Sequence, residues 1–158
     1  CLKDGGKVLF CGNGGSAATA SHFANDLAVG TRSSSKPFRV LSLTDNAAVI
    51  TAIANDFGYE ELFTRQLMAY LKPNDVVVAI SASGNSPNVV NALEMATKMS
   101  AVTVSLTGFD GGKIQSMTDV NVHVPSEKGE YGPVEDVHMI FDHIVGNYFL
   151  QLCKEEAP

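Results

Sequence analysis

The sequence has few cysteines and no long hydrophobic run, and each shortage excludes a class of protein. Its three cysteines are Cys1, Cys11 and Cys153. Their odd number and the absence of CxxC spacing fit neither a disulfide framework nor a structural zinc site. No apolar stretch approaches the ~20 residues that cross a bilayer, and no signal peptide is visible. We therefore expect a cytoplasmic protein without a membrane partner, with Cys11 as a small buried hydrophobe.

Basic residues are also scarce. The chain has 11 Lys and Arg against 17 Asp and Glu, which gives a net charge of −6. Nucleic-acid binding draws on basic surface, so nucleic acid is not an expected partner. A small anionic ligand would instead need a local cradle of backbone N–H groups and hydroxyls. The length of 158 residues and the hydrophobic content of 45% predict one domain, residues 1–158, with one core.

Short apolar runs alternate with longer periodic ones, which is typical of strands alternating with helices. The predicted strands are Lys7–Cys11, Phe38–Leu43, Asp75–Ser81, Ala101–Leu106 and Asp119–Val124. The predicted helices run to Val29 from an N-cap at Ser16, over Asp45–Asn55 and Tyr59–Leu71, from Pro87 to Met99, and from Pro133 to Cys153. This alternation predicts an α/β fold, a three-layer sandwich around a five-stranded parallel sheet that is doubly wound in the flavodoxin-like manner.

Three polar, Gly-rich loops follow strands of the predicted sheet. They are Gly12–Ser16, Ser81–Ser86 and Thr107–Gly112. The second loop carries three serines and precedes Pro87, where a helix begins whose free N–H groups attract an anion. One such loop can be an ordinary turn with an N-cap, but three at one sheet edge favour a phospho-ligand site. Neither a complete GxGxxG fingerprint nor a P-loop occurs, so no nucleotide cofactor is predicted.

Histidines and carboxylates on two helices are the candidates for chemistry. His22 and Asp26 are four residues apart, so they share a helix face and can bind a metal, share acid–base work or form a mere surface pair. On the last helix, Asp136 and His143 lie nearly on one face, whereas Glu135 and His143 are about 80° apart. His143 has apolar neighbours, which is equally typical of a core histidine.

Five blocks of the sequence carry a family resemblance. They are GNGGSAATASHFANDL, DNAAVITAIANDFG, ISASGNSPNVVNALE, TGFDGG and EDVHMIFDH. In this order, from about Lys7 to Gln151, they resemble the phosphoheptose isomerase group of the sugar isomerase (SIS) domain family. The SGNS segment is shared across SIS domains, whereas the first and last blocks are more specific to the heptose isomerase group.

The resemblance implies an activity and an assembly. The activity is isomerisation of sedoheptulose 7-phosphate to an aldose through an enediol, in a homotetramer. The family begins with an extra helix used in tetramer packing, which we expect to be missing or truncated here, with Cys1–Gly5 as its tail. Some relatives are not enzymes and only bind a sugar phosphate or a replication initiator. The presence of both Asp26 and His143 favours the enzyme over that alternative.

The resemblance also implies roles for individual residues. Asp26 and His143 match the catalytic carboxylate and histidine. The residues that match substrate and phosphate contacts are Asn13, Gly14, Ser16, Asp45, Asn55, Asp56, Ser81, Ser83, Ser86 and Glu135. A zinc site described for part of the family, with one ion per subunit, matches His22, Asp26, Glu135 and His143. Asp26 replaces the usual Glu, and Glu135 replaces the common Gln, which adds negative charge suited to a divalent metal.

The last predicted helix is apolar over much of its surface. Its large apolar residues are Ile140, Phe141, Ile144, Val145, Phe149 and Leu150. These leave little polar face, so we expect part of this surface to pack against another subunit.

Overall fold

Five parallel strands form one sheet at the centre of the fold. The computed structural model describes residues 5–32 and 37–155, so Cys1 and nearly all of the predicted tail Cys1–Gly5 lie outside the described residues. The strands are β1 (Lys7–Gly12), β2 (Arg39–Ser42), β3 (Val76–Ser81), β4 (Val102–Phe109) and β5 (Val120–Pro125). Their spatial order is β2-β1-β3-β4-β5, with every neighbouring pair parallel. This is the flavodoxin-like order and confirms the predicted fold class.

Helices connect the strands and cover the sheet. The α-helices are α1 (Gly15–Asn25), α2 (Ala47–Phe57), α3 (Leu62–Tyr70), α4 (Pro87–Lys98) and α5 (Tyr131–Glu155). A π-helical turn, Asp26–Gly30, continues α1, and 3₁₀ turns occupy Tyr59–Glu61 and Lys113–Ser116. None of the helices within the described ranges is long and apolar enough to cross a membrane.

Two apolar clusters, one on each face of the sheet, establish the three layers. On one face, α1 and α5 pack together through Phe23 and Phe141. On the other face, Ile53 of α2, Phe63 of α3 and Leu93 of α4 share a second cluster. The strands are thus covered on both sides, as parallel strands usually are.

The apolar surface of α5 divides between the core and the solvent. Phe141, Val145 and Phe149 pack into the cluster shared with α1. The exposed side carries a line of apolar residues that we call the α5 stripe, namely Val137, Ile140, Ile144, Tyr148 and Leu152. Ile140 and Ile144 keep 56% and 61% of their surface exposed, so the described part of the chain does not cover this stripe.

Cys11 is a core residue of β1. Its side chain is fully buried, and this burial raises the pKa of its thiol to about 12. The thiol therefore stays protonated and unreactive. This confirms the expectation that Cys11 is a small buried hydrophobe.

The first helix departs from prediction at both ends. Its N-cap is Gly14, with φ of 56°, and Ser16 lies buried within the first turn, so the predicted cap at Ser16 is wrong. The tight turn before this helix requires glycine at position 12, because a side chain there would overlap the backbone of Ser16. At the other end, the expected α-helix to Val29 becomes π-helical from Asp26 onward.

The third predicted loop is shorter than expected and supports the second. β4 continues through Phe109, so Thr107 to Phe109 are strand residues rather than loop. The following turn packs under the serine loop, where the amide of Ile114 donates to the carbonyl of Gly84 at 3.1 Å. The amide of Lys113 donates to the side chain of Asn85 at 3.2 Å. These two hydrogen bonds therefore support the predicted phosphate loop, Ser81–Ser86, from the side away from the cleft.

Candidate functional site

A cleft of about 310 Å³ opens at the carboxyl ends of β1 and β3. β1 and β3 are neighbours whose following helices, α1 and α4, lie on opposite faces of the sheet. Such a switch point is where doubly wound sheets bind ligands. The lining residues are Asn13, Gly14, Gly15, Ser16, Ile80, Ser81, Ala82, Ser83, Ser86, Tyr131 and Glu135. Two of the three predicted loops therefore meet in the cleft, and the third lies outside its lining.

The cleft is suited to an anion through backbone and hydroxyl groups. α1 and α4 both begin at its wall, with Gly14 and Ser86 as their N-caps. Their first free N–H groups and positive dipole ends favour negative charge. The hydroxyls of Ser81 and Ser86 lie 3.3 Å apart, so both can donate hydrogen bonds to the oxygens of one bound anion. Among the described residues that line the cleft, there is no Lys or Arg.

A pair of amides holds the first loop in place. The side chains of Asn13 and Asn88 donate to each other, at 2.9 Å in both directions. The hydroxyl of Tyr59 donates to the same oxygen of Asn13 at 3.0 Å. Because Asn88 is buried and lies in the first turn of α4, this pairing fixes the Gly-rich loop against the serine loop.

The start of α5 closes the cleft on its remaining side. Glu135 places its carboxylate directly against Gly15, where any side chain would overlap it. Tyr131 lies edge-on to Phe109, with ring centroids 5.0 Å apart. The structure thus places Glu135 beside the serine loops, as predicted for a substrate contact, and adds Tyr131 to the lining.

α1 and α5 lie side by side in a constant register. Glu135 faces Gly15, and Asp142 contacts His22; in both pairs the residues are 120 positions apart. The two helices are therefore parallel over this length. Seven residues separate Gly15 from His22, so the second pair lies about 10 Å further along the helix axis than the first, at a rise of 1.5 Å per residue.

The second pair belongs to a cluster of four titratable side chains. His22, Asp26, Asp142 and His143 each place one potential ligand atom within 4.8 Å of the others. The Nδ1 atom of His22 lies 2.7 Å from Oδ2 of Asp142 and 3.9 Å from Oδ2 of Asp26. The rings of His22 and His143 meet edge to face, with centroids 5.2 Å apart. The predicted catalytic residues Asp26 and His143 are therefore brought together.

Asp142 is the buried member of the cluster. Its side chain has no exposed surface. Burial raises the pKa of its carboxyl, and the charge of Asp26 adds to this, while the hydrogen bond with His22 acts in the opposite direction. His138, one turn earlier, is also buried, and burial lowers its pKa although its Nε2–H donates to the carbonyl of Thr107 at 3.2 Å.

Asp26 occupies a special place in the backbone. It begins the π-helical turn, in which the amide of Thr31 donates to its carbonyl at 3.1 Å. Two glycines lie near its side chain, because a Cβ atom added at Gly30 or Gly146 would be in van der Waals contact with Asp26. Single π-helical turns are frequent at functional sites because they turn a side chain away from its regular helical direction.

The donor set of the cluster fits a zinc ion. Two imidazoles and two carboxylates within reach of one point match the nitrogen and oxygen ligands that zinc takes in tetrahedral sites. The cluster contains three of the four predicted ligands, His22, Asp26 and His143, together with Asp142. Glu135 is not among its members, because it lies two helical turns away beside Gly15. Within this single chain, the structure thus groups three of the predicted ligands and places Glu135 in the cleft lining.

Three predicted substrate residues lie outside the cleft lining. Asp45 is exposed and accepts a hydrogen bond from Ser21. Asn55 and Asp56 are exposed at the end of α2, where the amide of Asn55 donates to the Asp56 carboxylate at 2.7 Å. The structure does not bring these residues to the serine loops within one chain.

Sequence reasoning missed Tyr131 and Asp142. Asp142 stands next to His143 and seven residues after Glu135, so the helical period places it on the face of α5 that carries Glu135. This helical spacing could have indicated that Asp142 lies near the site. Nothing in the spacing indicated Tyr131, because the predicted helix begins later, at Pro133, than the observed α5.

Comparison with known proteins agrees with this geometry. The SIS domain profile matches residues 1–108. The phosphoheptose isomerase of Aliarcobacter butzleri is 42% identical over 144 residues, which cover 91% of this chain and 75% of that protein. The phosphoheptose isomerase structure from Neisseria gonorrhoeae has a TM-score of 0.86 and 37% identity, covering 94% of this chain and 78% of the other.

A second phosphoheptose isomerase structure, from Francisella tularensis, also superposes on the fold. Its TM-score is 0.86 at 33% identity, and the match covers 96% of this chain and 79% of that one. The similarity therefore extends over both the cleft and the four-residue cluster. The chain belongs to the SIS domain family and, within it, to the phosphoheptose isomerases.

Proposed function

We propose that this chain interconverts sedoheptulose 7-phosphate and the aldose glycero-manno-heptose 7-phosphate through an enediol. One observation carries the proposal in structural terms, namely the placement of the serine cleft and the four-residue cluster about 10 Å apart along one helix pair, at the helical rise of 1.5 Å per residue. A seven-carbon chain with its phosphate at one end and its carbonyl near the other spans a comparable distance. The substrate can thus reach both places at once.

The phosphate is assigned to the serine cleft. Ser16, Ser81, Ser83 and Ser86 supply hydroxyls there, and the first amides of α1 and α4 supply N–H donors. Charge-assisted hydrogen bonds of this kind are about twice as strong as neutral ones. A phosphate held here would leave the sugar running along α1 toward His22.

Proton transfer is assigned to Asp26 and His143. Isomerisation removes a proton from C1, delivers one to C2 and shifts another between the two oxygens, so it needs a base near the carbons and an acid near the carbonyl. Asp26 is the candidate base and His143 the candidate acid, with the roles reversed in the back reaction. The side chain of Asp26 is partly exposed, which leaves it accessible to substrate.

The same cluster would hold zinc if the protein uses a metal. His22, Asp26 and His143 are the proposed ligands, with a fourth position for substrate. A bound zinc ion supplies a Lewis acid that polarises the carbonyl oxygen. The chain itself positions the ligands through the parallel register of α1 and α5.

The remaining predicted contacts are assigned to the sugar. Asn13, Gly14 and Glu135 line the same cleft as the serines and would meet the sugar hydroxyls. Asp45, Asn55 and Asp56 remain predictions, which a neighbouring subunit would have to satisfy.

A homotetramer is the proposed assembly, in which the α5 stripe packs against a second copy. Supporting features are the exposure of Ile140, Ile144 and Tyr148 and the scarcity of buried residues in α2, where Ile53 alone is buried. Large exposed apolar stripes usually mark association surfaces. We further propose that residues 1–158 form a single SIS domain. The thiols of Cys11 and Cys153, both free, suit a cytoplasmic location.

A direct assay tests the proposed function. Purified protein is mixed with sedoheptulose 7-phosphate, and the aldose product is followed by NMR, with a chelator and with added zinc. Formation of the aldose in either condition supports the isomerase. Tight substrate binding without turnover in both would instead favour a non-catalytic SIS domain that senses sugar phosphate or binds a protein partner.

A further inference from the structure

Asp142 is an acidic residue that forms one side-chain hydrogen bond in the cluster, with His22. It is fully buried, and its Oδ2 atom lies 2.7 Å from Nδ1 of His22. Its other oxygen, Oδ1, is buried and finds no hydrogen-bond partner within the described part of the chain. The one hydrogen bond that links this enclosed carboxylate to the cluster is its contact with His22.

His22 has two carboxylates within reach of one ring nitrogen. Oδ2 of Asp142 is at hydrogen-bond distance from Nδ1, whereas Oδ2 of Asp26 lies 3.9 Å from the same atom. One N–H group makes one good hydrogen bond, so the shorter contact determines where the proton of His22 points. Asp26 is thereby left without that bond.

We propose that Asp142 is a positioning residue that holds His22 in its Nδ1–H tautomer and keeps His22 from pairing with Asp26. The Nε2 atom of His22 then carries the free lone pair, available to a substrate proton or a metal. The partner of one ring nitrogen generally decides the state of the other. This inference rests on the proposed function, because it matters to catalysis only if Asp26 is the base.

A variant that keeps the fold can separate a positioning role of Asp142 from a merely structural one. A buried carboxylate is expensive to desolvate, and Asp142→Asn removes that cost while nearly conserving the side-chain volume. The side chain of its partner His22 is 43% exposed, so the change leaves no fully buried charge unpaired. Asp142→Asn should therefore keep the fold and its melting temperature. The NH2 group of the new side chain can donate to Nδ1, which would force the proton of His22 onto Nε2. Its carbonyl oxygen can instead accept from Nδ1–H, which keeps the tautomer but removes the negative charge beside the ring and so changes the ¹⁵N shifts.

The tautomer is read directly by ¹⁵N NMR of histidine-labelled full-length protein. Spectra are recorded at about pH 8, above the usual imidazole pKa of about 6.5, and His22 is identified by its loss in His22→Gln. We expect unprotonated Nε2 in the wild type and a change of tautomer or of both ¹⁵N shifts in Asp142→Asn. Asp136→Asn, an exposed acid on the same helix, is the matched control and should leave the spectrum unchanged.

Kinetics with sedoheptulose 7-phosphate gives the second readout. Loss of a partner that orients a histidine typically costs about 10–100-fold in activity, so kcat should fall by that factor while KM changes little. Asp142→Leu, which keeps the branching at Cγ but can form no hydrogen bond, should behave alike and serves if Asp142→Asn does not fold. An unchanged His22 spectrum, or a changed spectrum with unchanged kcat, overturns the proposal. If the wild type is inactive but Asp142→Asn changes the His22 spectrum, the positioning of His22 by Asp142 is supported. The proposed isomerase function is then contradicted on its own.

Discussion

Glu135 lies against Gly15 so closely that a methyl group at position 15 would overlap its carboxylate. The contact joins the first turn of α1 to the first turns of α5, and it has the same register as the contact of Asp142 with His22 two helical turns later. The absence of a side chain at position 15 therefore leaves room for the Glu135 carboxylate in the cleft wall.

The first prediction concerns this contact. Gly15→Ala should displace the Glu135 carboxylate from its place in the cleft wall, so substrate binding and turnover should both weaken. Gly132→Ala is the control, since a Cβ there meets nothing within 4 Å. Calorimetric titration with sedoheptulose 7-phosphate measures the effect; equal affinities for the two variants would show that the contact is not needed.

The second prediction concerns the serine loop. Ser83→Ala removes one hydroxyl from the phosphate cleft, and a hydrogen bond to a charged group contributes about 1.5–3 kcal/mol. The dissociation constant should rise about tenfold to a hundredfold, with a smaller change in kcat. Ser116→Ala, at an exposed serine outside the cleft lining, is the control. An unaltered affinity of Ser83→Ala for sedoheptulose 7-phosphate would place the phosphate elsewhere.

The third prediction separates chemistry from binding. Asp26→Asn and His143→Ala should each lose at least about a hundredfold in kcat, because a positioned acid or base contributes about 10²–10⁴-fold. Their affinities for inorganic phosphate should stay near that of the wild type. Asp136→Asn tests whether any acid on α5 would have the same effect, and its kcat should be normal. Retained turnover in Asp26→Asn would remove Asp26 from the role of base.

The fourth prediction concerns assembly. Ile144→Glu places a charge in the middle of the α5 stripe and should shift the protein from tetramer toward smaller species. Light scattering at micromolar concentration measures the mass, and Lys98→Glu, at an exposed site on α4, is the control. A wild type that is cleanly monomeric at that concentration would rule out the stripe as a subunit contact.

The fifth prediction concerns acid stability at Asp75. Burial alone would raise the pKa of Asp75, but hydrogen bonds from Lys7 and from the amide of Lys72 outweigh it and hold the pKa below its usual value. The ionised form therefore stabilises the fold above the unfolded-state pKa of about 3.9. This contribution is lost as pH falls through the lower pKa of the folded state.

Urea unfolding at several pH values below about 5 checks this, since the window is set by the carboxyl pKa. Asp75→Asn should lower the free energy of unfolding at neutral pH and flatten its decline in acid. Glu94→Gln, at an exposed carboxylate on α4, is the control. An equally steep acid decline in Asp75→Asn would assign the effect to other groups.

The sheet and the cleft were largely predictable from the sequence. Apolar runs such as Val76–Ser81 followed by Gly and Ser admit few structures other than a buried parallel strand and a loop at its carboxyl end. The π-helical turn at Asp26 was not predictable, since the local sequence continues a regular helical pattern. The turn packs against α5, more than a hundred residues away in sequence, and the local pattern does not contain that contact.

The departures in the site also have a tertiary cause. Helical spacing places Glu135 and His143 about 80° apart, and the family pattern still grouped them as ligands. In the fold, α5 runs alongside α1, so Glu135 meets the glycine loop while Asp142 meets His22. Which helix faces which is decided by the sheet order, and a one-dimensional pattern does not contain that information.

The most direct test of the proposed site is a crystal structure of Asp26→Asn with sedoheptulose 7-phosphate bound. The phosphate should lie among Ser81, Ser83 and Ser86, and carbons C1 and C2 should lie about 3 Å, within hydrogen-bond reach, from the side chains at positions 26 and 143. A phosphate bound away from the serine loop, or a sugar whose carbonyl end points away from α1 and α5, would contradict it.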